Sequence, residues 1–246
     1  YTWYSAALHS DVRDGGVGDL TLSGIADLAH VFIDGKLVAS TPGPLAESRI
    51  PGPGSHRRSP GFEQTFRIHI ASGPHELSIL CCAAGLVNSD AMLGGHNMVH
   101  ERKGLWGPVS WNKRPLRGPW TVQPGLLGEA CRIFGSAGEM VKWRGDVLAD
   151  PHTPLRWWRA TFARPDVQSP IAVDMAGMTR GLIWINGHCA GRYWLLPSAA
   201  SPDAAAEPTQ RYYHLPLEWL EDRNILVILE EVGGDPASIR LQEWKP

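Results

Sequence analysis

The sequence predicts an all-β protein built from two related β-sandwich domains in tandem. Two stretches about 150 residues apart share an apolar strand, a tight turn and a short return strand. Residues 31–38 turn at Asp34-Gly35, and residues 182–194 turn at Asn186-Gly187, both strong hairpin signals. The 27 glycines and 20 prolines supply many turns, and no stretch keeps the apolar period of a long helix. Short strands between frequent turns are typical of sandwiches and jelly rolls.

Three further pairs of segments extend this repeat. They are residues 3–8 and 157–162, residues 20–22 and 172–174, and residues 76–80 and 224–229. A repeat of several elements in the same order indicates duplication of a whole domain. We therefore expect a first jelly-roll domain at 1–116 and a second at 117–246, the latter including a connector at 117–150. With 43% hydrophobic residues, the chain can bury two cores.

Charge and hydropathy bear on the choice of partner. A net charge of -2 without a basic cluster argues against nucleic acid. No apolar run approaches the roughly 20 residues that span a bilayer, so no membrane partner is expected. The chain starts at Tyr1 without a signal-like segment, so we expect an excised portion or a mature form.

The four cysteines are expected to be buried free thiols. Cys81 and Cys82 are adjacent in a strand, where successive side chains point to opposite faces, so at most one should face the core. Cys131 and Cys189 are distant from them, and no CxxC spacing suggests zinc. The cysteines leave the redox compartment open.

The hairpin at 182–194 carries the first candidate binding cluster. Pyranose rings stack their C–H face on aromatic rings, and their hydroxyls pair with polar side chains. The hairpin offers both kinds of side chain in one short segment: Asn186, His188, Arg192, Tyr193 and Trp194. The alternative is that the cluster packs against a neighbouring domain. If only one domain binds sugar, the second is favoured, because the first hairpin lacks the aromatic residues.

The loop at 94–106 carries the second candidate cluster. Its polar and aromatic side chains could bind a sugar, and the candidates are His96, Asn97, Glu101 and Trp106. His96 and His100 are four residues apart but lack the His-Glu-x-x-His pattern of a zinc helix. A polar loop is therefore the alternative interpretation, and no metal ligand is assigned.

Several motifs, in order along nearly the whole chain, resemble one enzyme family. The second half contains LIWING at 182–187, GRYW at 191–194, QRYYHLP at 210–216 and EEVGGDP at 230–236. The first half contains HVFIDG at 30–35, AGLVN at 84–88, GLWGPV at 104–109 and WTVQPGLLGE at 120–129. Together they resemble the C-terminal region of glycoside hydrolase family 35 β-galactosidases, above all the plant-type enzymes.

The resemblance implies two galactose-binding-like jelly rolls, which in that family follow a catalytic (β/α)₈ barrel. The barrel is missing from these 246 residues. Retaining glycosidases need two carboxylates about 5 Å apart, whereas Glu230 and Glu231 are sequential on a strand and should face opposite sides. We therefore expect no catalysis by this chain.

The resulting hypothesis is a non-catalytic pair of carbohydrate-binding modules accessory to a β-galactosidase-like glycoside hydrolase. The expected partners are a polysaccharide or oligosaccharide, including galactose-containing glycans, and a catalytic glycoside hydrolase domain. The alternative is that both domains only support a family 35 barrel. The resemblance also implies a secreted or periplasmic location, no required cofactor, and room for a structural calcium ion.

Overall fold

The computed structural model describes residues 1–12, 16–41, 63–84, 102–145, 153–167, 169–196 and 210–244. Antiparallel strands dominate these residues and the helices are short, so the predicted all-β class is confirmed. The chain divides into two compact units, Tyr1–Leu126 and Leu127–Pro246. Among the described residues, no helix is long and apolar enough to cross a bilayer.

The described residues of the first unit form eleven strands. They are β1 (Thr2–Ser10), β2 (Val17–Leu22), β3 (Ile25–Ala26), β4 (Leu28–Ile33), β5 (Lys36–Ser40), β6 (Gln64–His69), β7 (Gly73–Cys82), β8 (Gly104–Leu105), β9 (Val109–Trp111), β10 (Arg114–Pro115) and β11 (Thr121–Pro124). The larger sheet has the order β11-β1-β7-β4-β5, the smaller has the order β10-β9-β2-β6, and β3 pairs with β8. Strand β11, which the sequence assigned to the connector, is thus an edge strand of the first unit.

Period-2 patterning produces the core of the first unit. Along β1, Ala6 and Leu8 are buried while Ala7 and His9 are exposed, as expected for a half-buried strand. Leu8 joins Leu20 from the opposite sheet and other buried side chains in one cluster. Because both sheets contribute to this cluster, they pack face to face.

The second unit opens with a short helix, α1 (Leu127–Ala130), and a 3₁₀ turn, Ser136–Met140. Its strands are β12 (Arg156–Ala163), β13 (Ile171–Asp174), β14 (Arg180–Ile185), β15 (His188–Trp194), β16 (Tyr212–Leu215), β17 (Arg223–Glu230) and β18 (Arg240–Glu243). Further 3₁₀ turns occur at Leu217–Trp219 and Pro236–Ser238. The larger sheet has the order β12-β17-β14-β15 and the smaller has the order β16-β13-β18.

The core of the second unit also lies between two sheets. Ile183 and Ile228 from the larger sheet meet Val173 and Leu215 from the smaller one. The segment 127–145 packs on the other face of the larger sheet, where Phe134 stacks on Trp184 with ring centres 4.9 Å apart. The connector therefore buries aromatic residues that the outer face of the sheet would otherwise expose.

The two units share the connectivity of their main sheets. Strands β1, β7, β4 and β5 of the first unit correspond in order to β12, β17, β14 and β15 of the second. Strands β9, β2 and β6 correspond in the same way to β18, β13 and β16. The first unit adds β10 and β11 at the edges next to β9 and β1.

The prediction of buried thiols is wrong for Cys131 and Cys189, which are exposed. The adjacent cysteines agree with the prediction that at most one faces the core, because only Cys81 belongs to the core cluster of the first unit. Cys81 is 2% exposed and Cys82 is 0% exposed. Strand β7 is a central strand of a five-stranded sheet, and side chains on both of its faces are covered at this end. Burial raises the pKa of the Cys81 thiol to about 12.

Candidate functional site

Asn186, a predicted binding residue, has its side chain committed to the fold. It adopts positive φ at the β14–β15 turn. Its Nδ2 donates to the carbonyl of Trp219 and to Oδ1 of Asn224, each at 2.8 Å. Its Oδ1 accepts from the backbone N–H of Ile225 at 2.8 Å. These bonds tie the turn to β17, so we remove Asn186 from the candidate site.

Tyr193 is a core residue rather than a surface one. It is 0% exposed, and its hydroxyl lies 3.0 Å from the Leu229 carbonyl oxygen and 2.9 Å from Oε2 of Glu230. A ring with no exposed face cannot stack on a sugar. We therefore also remove Tyr193 from the candidate site.

The three remaining hairpin residues lie on different faces of the sheet. A β-bulge shifts the pairing between Ile183 and Trp184. It places His188 opposite Ile185, on the core side, whereas Arg192 and Trp194 are opposite Leu182 and Arg180 on the outer side. His188 and Trp194 are also about 20 Å apart along the strand. The hairpin therefore does not gather the predicted cluster into one site.

The outer-face pair belongs to a buried ionic network. Nε of Arg180 lies 2.8 Å from Oε2 of Glu231, and both side chains are almost fully buried. Nη1 of Arg192 lies 3.4 Å from the other carboxylate oxygen of Glu231. Trp194 covers the Arg180 guanidinium at 5.2 Å from the ring centre. This arrangement stabilises the fold and accounts for Arg192 and Trp194 without a ligand.

His188 and Trp194 are the exposed members of the predicted hairpin cluster, and His188 lies on the core side of the sheet. Its imidazole stacks on Trp219 with ring centres 4.9 Å apart and an interplanar angle of 15°. The pair presents one polar ring at the hairpin tip. A single small ring gives little contact area for a sugar.

A groove in the first unit brings together aromatic side chains, including the predicted Trp106. Its volume is about 330 Å³. We call it the aromatic groove, and its lining consists of Tyr4, Leu105, Trp106, Gly107, Pro108, Val109, Pro115, Leu116, Trp120 and Val122. It opens between the β11–β1 edge of the larger sheet and the β9–β10 edge of the smaller one.

Local backbone contacts position the aromatic residues of this groove. Tyr4 pairs with Val122 across β1 and β11. The backbone N–H of Trp106 donates to the carbonyl of Gly24 at 2.9 Å. A Cβ on Gly24 would lie 2.8 Å from the indole Nε1 of Trp106, so a glycine is needed there for the ring to sit so close.

An ion pair precedes the groove residues in the sequence. Nζ of Lys103 lies 2.8 Å from Oδ1 of Asp27, just before β8 enters the groove. The predicted residues His96, Asn97 and Glu101 lie outside the described residues. Sequence reasoning missed Tyr4 and Trp120 as partners of Trp106, because the three residues are far apart in the chain.

The chemistry of the aromatic groove suits a weakly polar ligand with a flat apolar face. Three aromatic residues and six prolines or aliphatic residues form most of the wall, and aromatic rings accept the C–H face of a pyranose. Within either described unit taken by itself, no three His, Cys, Asp or Glu side chains come close enough to hold a metal ion.

The family comparison agrees with the motifs of the sequence. Residues 155–224, which include β12 to β14, the 182–194 hairpin and the start of β17, match the family described as beta-galactosidase, galactose-binding domain. The chain resembles the galactose-binding region of a β-galactosidase. This match supports an accessory domain, and no catalytic domain is matched.

A curated relative shows the same resemblance over more of the chain. Beta-galactosidase 7 of rice (Oryza sativa subsp. japonica) is 27% identical over 246 residues, which is 97% of this chain and 29% of the rice protein. The chain thus spans less than a third of that relative's length. The resemblance to the C-terminal galactose-binding-like region is confirmed.

Solved structures give only distant matches. A lectin from Pleurotus ostreatus in complex with GalNAc is 12% identical, with a TM-score of 0.28, over 98% of this chain and 71% of the lectin. A GH2 beta-galacturonidase from Eisenbergiella tayi is 15% identical, with a TM-score of 0.23, over 99% of this chain and 38% of the enzyme. Scores this low do not indicate a common fold.

Proposed function

We propose that the chain is a pair of galactose-binding-like jelly-roll domains that bind polysaccharide or galactose-containing glycans without cleaving them. In this proposal they are accessory to a β-galactosidase-like glycoside hydrolase. The observation that carries it is the aromatic groove, in which Tyr4, Trp106 and Trp120 line one open concavity. The match of residues 155–224 to a galactose-binding domain supports it.

The proposed contacts combine stacking with hydroxyl recognition. Trp106 and Trp120 stack on the C–H faces of sugar rings, because flat apolar contact needs large aromatic surfaces. The Tyr4 hydroxyl and the polar residues that precede Trp106 in sequence, His96, Asn97 and Glu101, bind ring hydroxyls. A few such contacts must offset the entropy of association, so we expect weak binding at each site.

Two conspicuous carboxylates of the second unit are engaged in the fold. Glu230 accepts from the backbone N–H groups of Thr179 and Gly233, each at 3.0 Å. Glu231 pairs with the buried Arg180. The two side chains lie on opposite faces of β17, as predicted from their adjacency. Neither is free to act as a nucleophile or an acid, which supports a non-catalytic role.

The experiment that tests the proposal is affinity electrophoresis of the 246-residue chain through gels containing galactan, xylan, glucan, pectin or algal polysaccharide. We expect one class of polymer to retard the chain, and Trp106→Ala to remove most of the retardation. Parallel gels with calcium and with a chelator test the proposed structural calcium ion. Unchanged mobility in every gel would contradict the proposed binding function.

A structural role is the second candidate, and exposed apolar side chains favour it. Leu127 is 74% exposed and Met140 is 86% exposed, both on the segment that covers the larger sheet of the second unit. Exposed large apolar residues often mark a protein contact. If the chain supports a family 35 barrel, adding that barrel in trans should raise its unfolding temperature, and Leu127→Ser with Met140→Ser should remove the increase.

A further inference from the structure

The second unit has its own groove on an open side of its sandwich. Its volume is about 480 Å³. We call it the arginine groove, and its lining is Trp158, Arg159, Ala160, Thr161, Phe162, Leu226, Ile228, Pro236, Ala237, Ile239, Arg240 and Leu241. It lies between β12 and β17 of the larger sheet and β18 of the smaller one. This is the topological equivalent of the place where the aromatic groove opens in the first unit.

The charged lining of this groove has one sign. Arg159 and Arg240 are its charged residues, and no carboxylate lines it among the described residues. The guanidinium of Arg159 lies 6.0 Å from the ring centre of Trp143, which belongs to the segment covering the outer face of the sheet. Arg240 is therefore the cation that the groove itself presents.

The guanidinium of Arg240 is held at the rim. Its Nη1 donates to the carbonyl oxygens of Ala237 at 2.6 Å and Ile239 at 2.7 Å, and both of these residues also line the groove. Its hydrogen bonds to described residues all use Nη1. Because one nitrogen is anchored, the remaining planar edge is oriented in advance for an acceptor with two oxygens.

The neighbouring acids are engaged elsewhere. Asp174 pairs with Arg240 across β13 and β18, but its carboxylate binds Nε and Nη2 of Arg211 at 2.5 and 2.6 Å. The carboxylate of Asp235 accepts from the backbone N–H of Ala237 at 2.9 Å. Among the described residues, neither carboxylate hydrogen-bonds the Arg240 guanidinium, which interacts with Asp174 only through its charge. The donors on the free edge of the guanidinium therefore stay available.

The ring of Trp158 lies in the wall of the groove. The guanidinium of Arg156 lies over the same ring, 5.3 Å from its centre, and adds positive charge. The indole Nε1–H of Trp158 is buried and has no hydrogen-bond partner among the described residues. A ligand in the groove therefore contacts the ring and not this donor.

We propose that the arginine groove binds a uronic acid residue of an acidic glycan. Arg240 takes the planar carboxylate through its free edge, and the rings of Trp158 and Phe162 contact the C–H face of the sugar. A negatively charged chain does not attract acidic polymers in general, so this binding depends on the local site. It is independent of neutral-sugar binding in the aromatic groove.

The test is isothermal titration of the 246-residue chain with trigalacturonate and with its methyl ester. We expect trigalacturonate to bind and the ester, which lacks the charge, to bind roughly tenfold or more weakly, the loss of a charge-assisted hydrogen bond. Arg240→Gln should weaken trigalacturonate binding to a similar degree. Arg114→Gln, which removes an arginine whose side chain is 80% exposed in the first unit, should leave it unchanged.

Further variants keep the proposal falsifiable. Trp158→Ala removes an aromatic ring from the wall of the groove and should also weaken trigalacturonate binding. It tests the same site if Arg240→Gln proves unstable. Trp106→Ala should leave trigalacturonate binding intact, which separates this proposal from sugar binding in the aromatic groove. No binding, equal affinity for the ester, or equal affinity of the Arg240→Gln and Arg114→Gln variants would overturn it.

Discussion

Asp34 and Asn186 make equivalent hydrogen bonds from the hairpin turn to the neighbouring strand in the two units, and we call each set of bonds a clasp. Each residue begins the hairpin turn with positive φ. A side-chain oxygen of Asp34 accepts from the backbone N–H of Glu76 at 2.9 Å, and Oδ1 of Asn186 accepts from the N–H of Ile225 at 2.8 Å. Each also has a second partner one residue earlier, His75 for Asp34 and Asn224 for Asn186. The repeat thus extends to individual hydrogen bonds.

Replacement of Asn186 by alanine should destabilise the second unit. The variant loses three side-chain hydrogen bonds and leaves the buried Asn224 side chain without one of its partners. We expect a loss of about 2 to 4 kcal/mol in the free energy of unfolding. Urea unfolding followed by tryptophan fluorescence measures it.

Asn112→Ala is the matched control for this variant. Asn112 also has positive φ, but its side chain makes one exposed bond, from the N–H of Asp19. Asn112→Ala should lower the free energy of unfolding by about 1 kcal/mol or less. Equal losses for Asn112→Ala and Asn186→Ala would mean that backbone strain, rather than the clasp, sets the effect.

The clasp of the first unit should make stability depend on pH. The hydrogen bond with Asp34 raises the pKa of His75 above 6.5, and the same bond lowers the pKa of Asp34 below 3.8. The stabilisation from His75 is complete below pH 6.5 and is lost as pH rises through its raised pKa. That from Asp34 is complete above pH 3.8 and is lost as pH falls through its lowered pKa.

We therefore expect the unfolding temperature to fall as the pH rises from about 6.5 through the raised pKa of His75. Scanning calorimetry at a series of pH values measures this. Asp34→Asn keeps an acceptor for the Glu76 N–H but removes the charge, so it should flatten this part of the profile. A profile of Asp34→Asn that matches the unsubstituted chain would assign the pH dependence to other groups.

The sequence revealed the local elements of the fold well. The Asp-Gly and Asn-Gly pairs sit at turns with positive φ, because few other residue pairs tolerate that conformation. The predicted segment at 224–229 lies within β17, since its apolar run is bounded by turn residues. These features depend on near neighbours in the chain, which is why the pattern predicts them.

The candidate site was harder to predict because its geometry is non-local. One bulge in the β14–β15 hairpin put His188 and Trp194 on opposite faces, and a period-2 pattern does not show a bulge. The burial of both Cys81 and Cys82 depends on what covers each face of β7. The aromatic groove joins Tyr4 to Trp120, whose proximity follows from the pairing of β1 with β11.

Glu231→Gln should be among the most destabilising substitutions of a charged residue. The change leaves the Arg180 guanidinium, whose side chain is 1% exposed, as a buried charge without its counterion. We expect a loss of about 3 to 5 kcal/mol, measured by urea unfolding. Glu221→Gln, at an exposed position, is the control, with an effect near zero.

Replacing both Arg180 and Glu231 separates the cost of one unpaired buried charge from the contribution of the ion pair itself. Arg180→Met combined with Glu231→Leu removes both buried charges, so the double variant should be more stable than Glu231→Gln alone. A double variant that is less stable than the single one would show that the ion pair itself contributes most of the stability.

The four thiols should react in two classes. Cys131 and Cys189 are exposed, while Cys81 and Cys82 are buried, and burial raises the pKa of Cys81 to about 12. Titration of the folded chain with a disulfide reagent should modify two thiols quickly, and denaturant should release the other two. Rapid reaction of all four in the folded chain would contradict the burial of the β7 cysteines.

The most direct test of the proposed function is isothermal titration of the chain and three variants with a galactan oligosaccharide. We expect weak binding by the unsubstituted chain and by Trp194→Ala, because Trp194 covers Arg180 rather than a ligand. Trp106→Ala and Trp120→Ala should each lose roughly tenfold in affinity, the loss expected for a stacking contact of an aromatic side chain. Undiminished binding by both of these variants, or a loss confined to Trp194→Ala, would contradict binding in the aromatic groove.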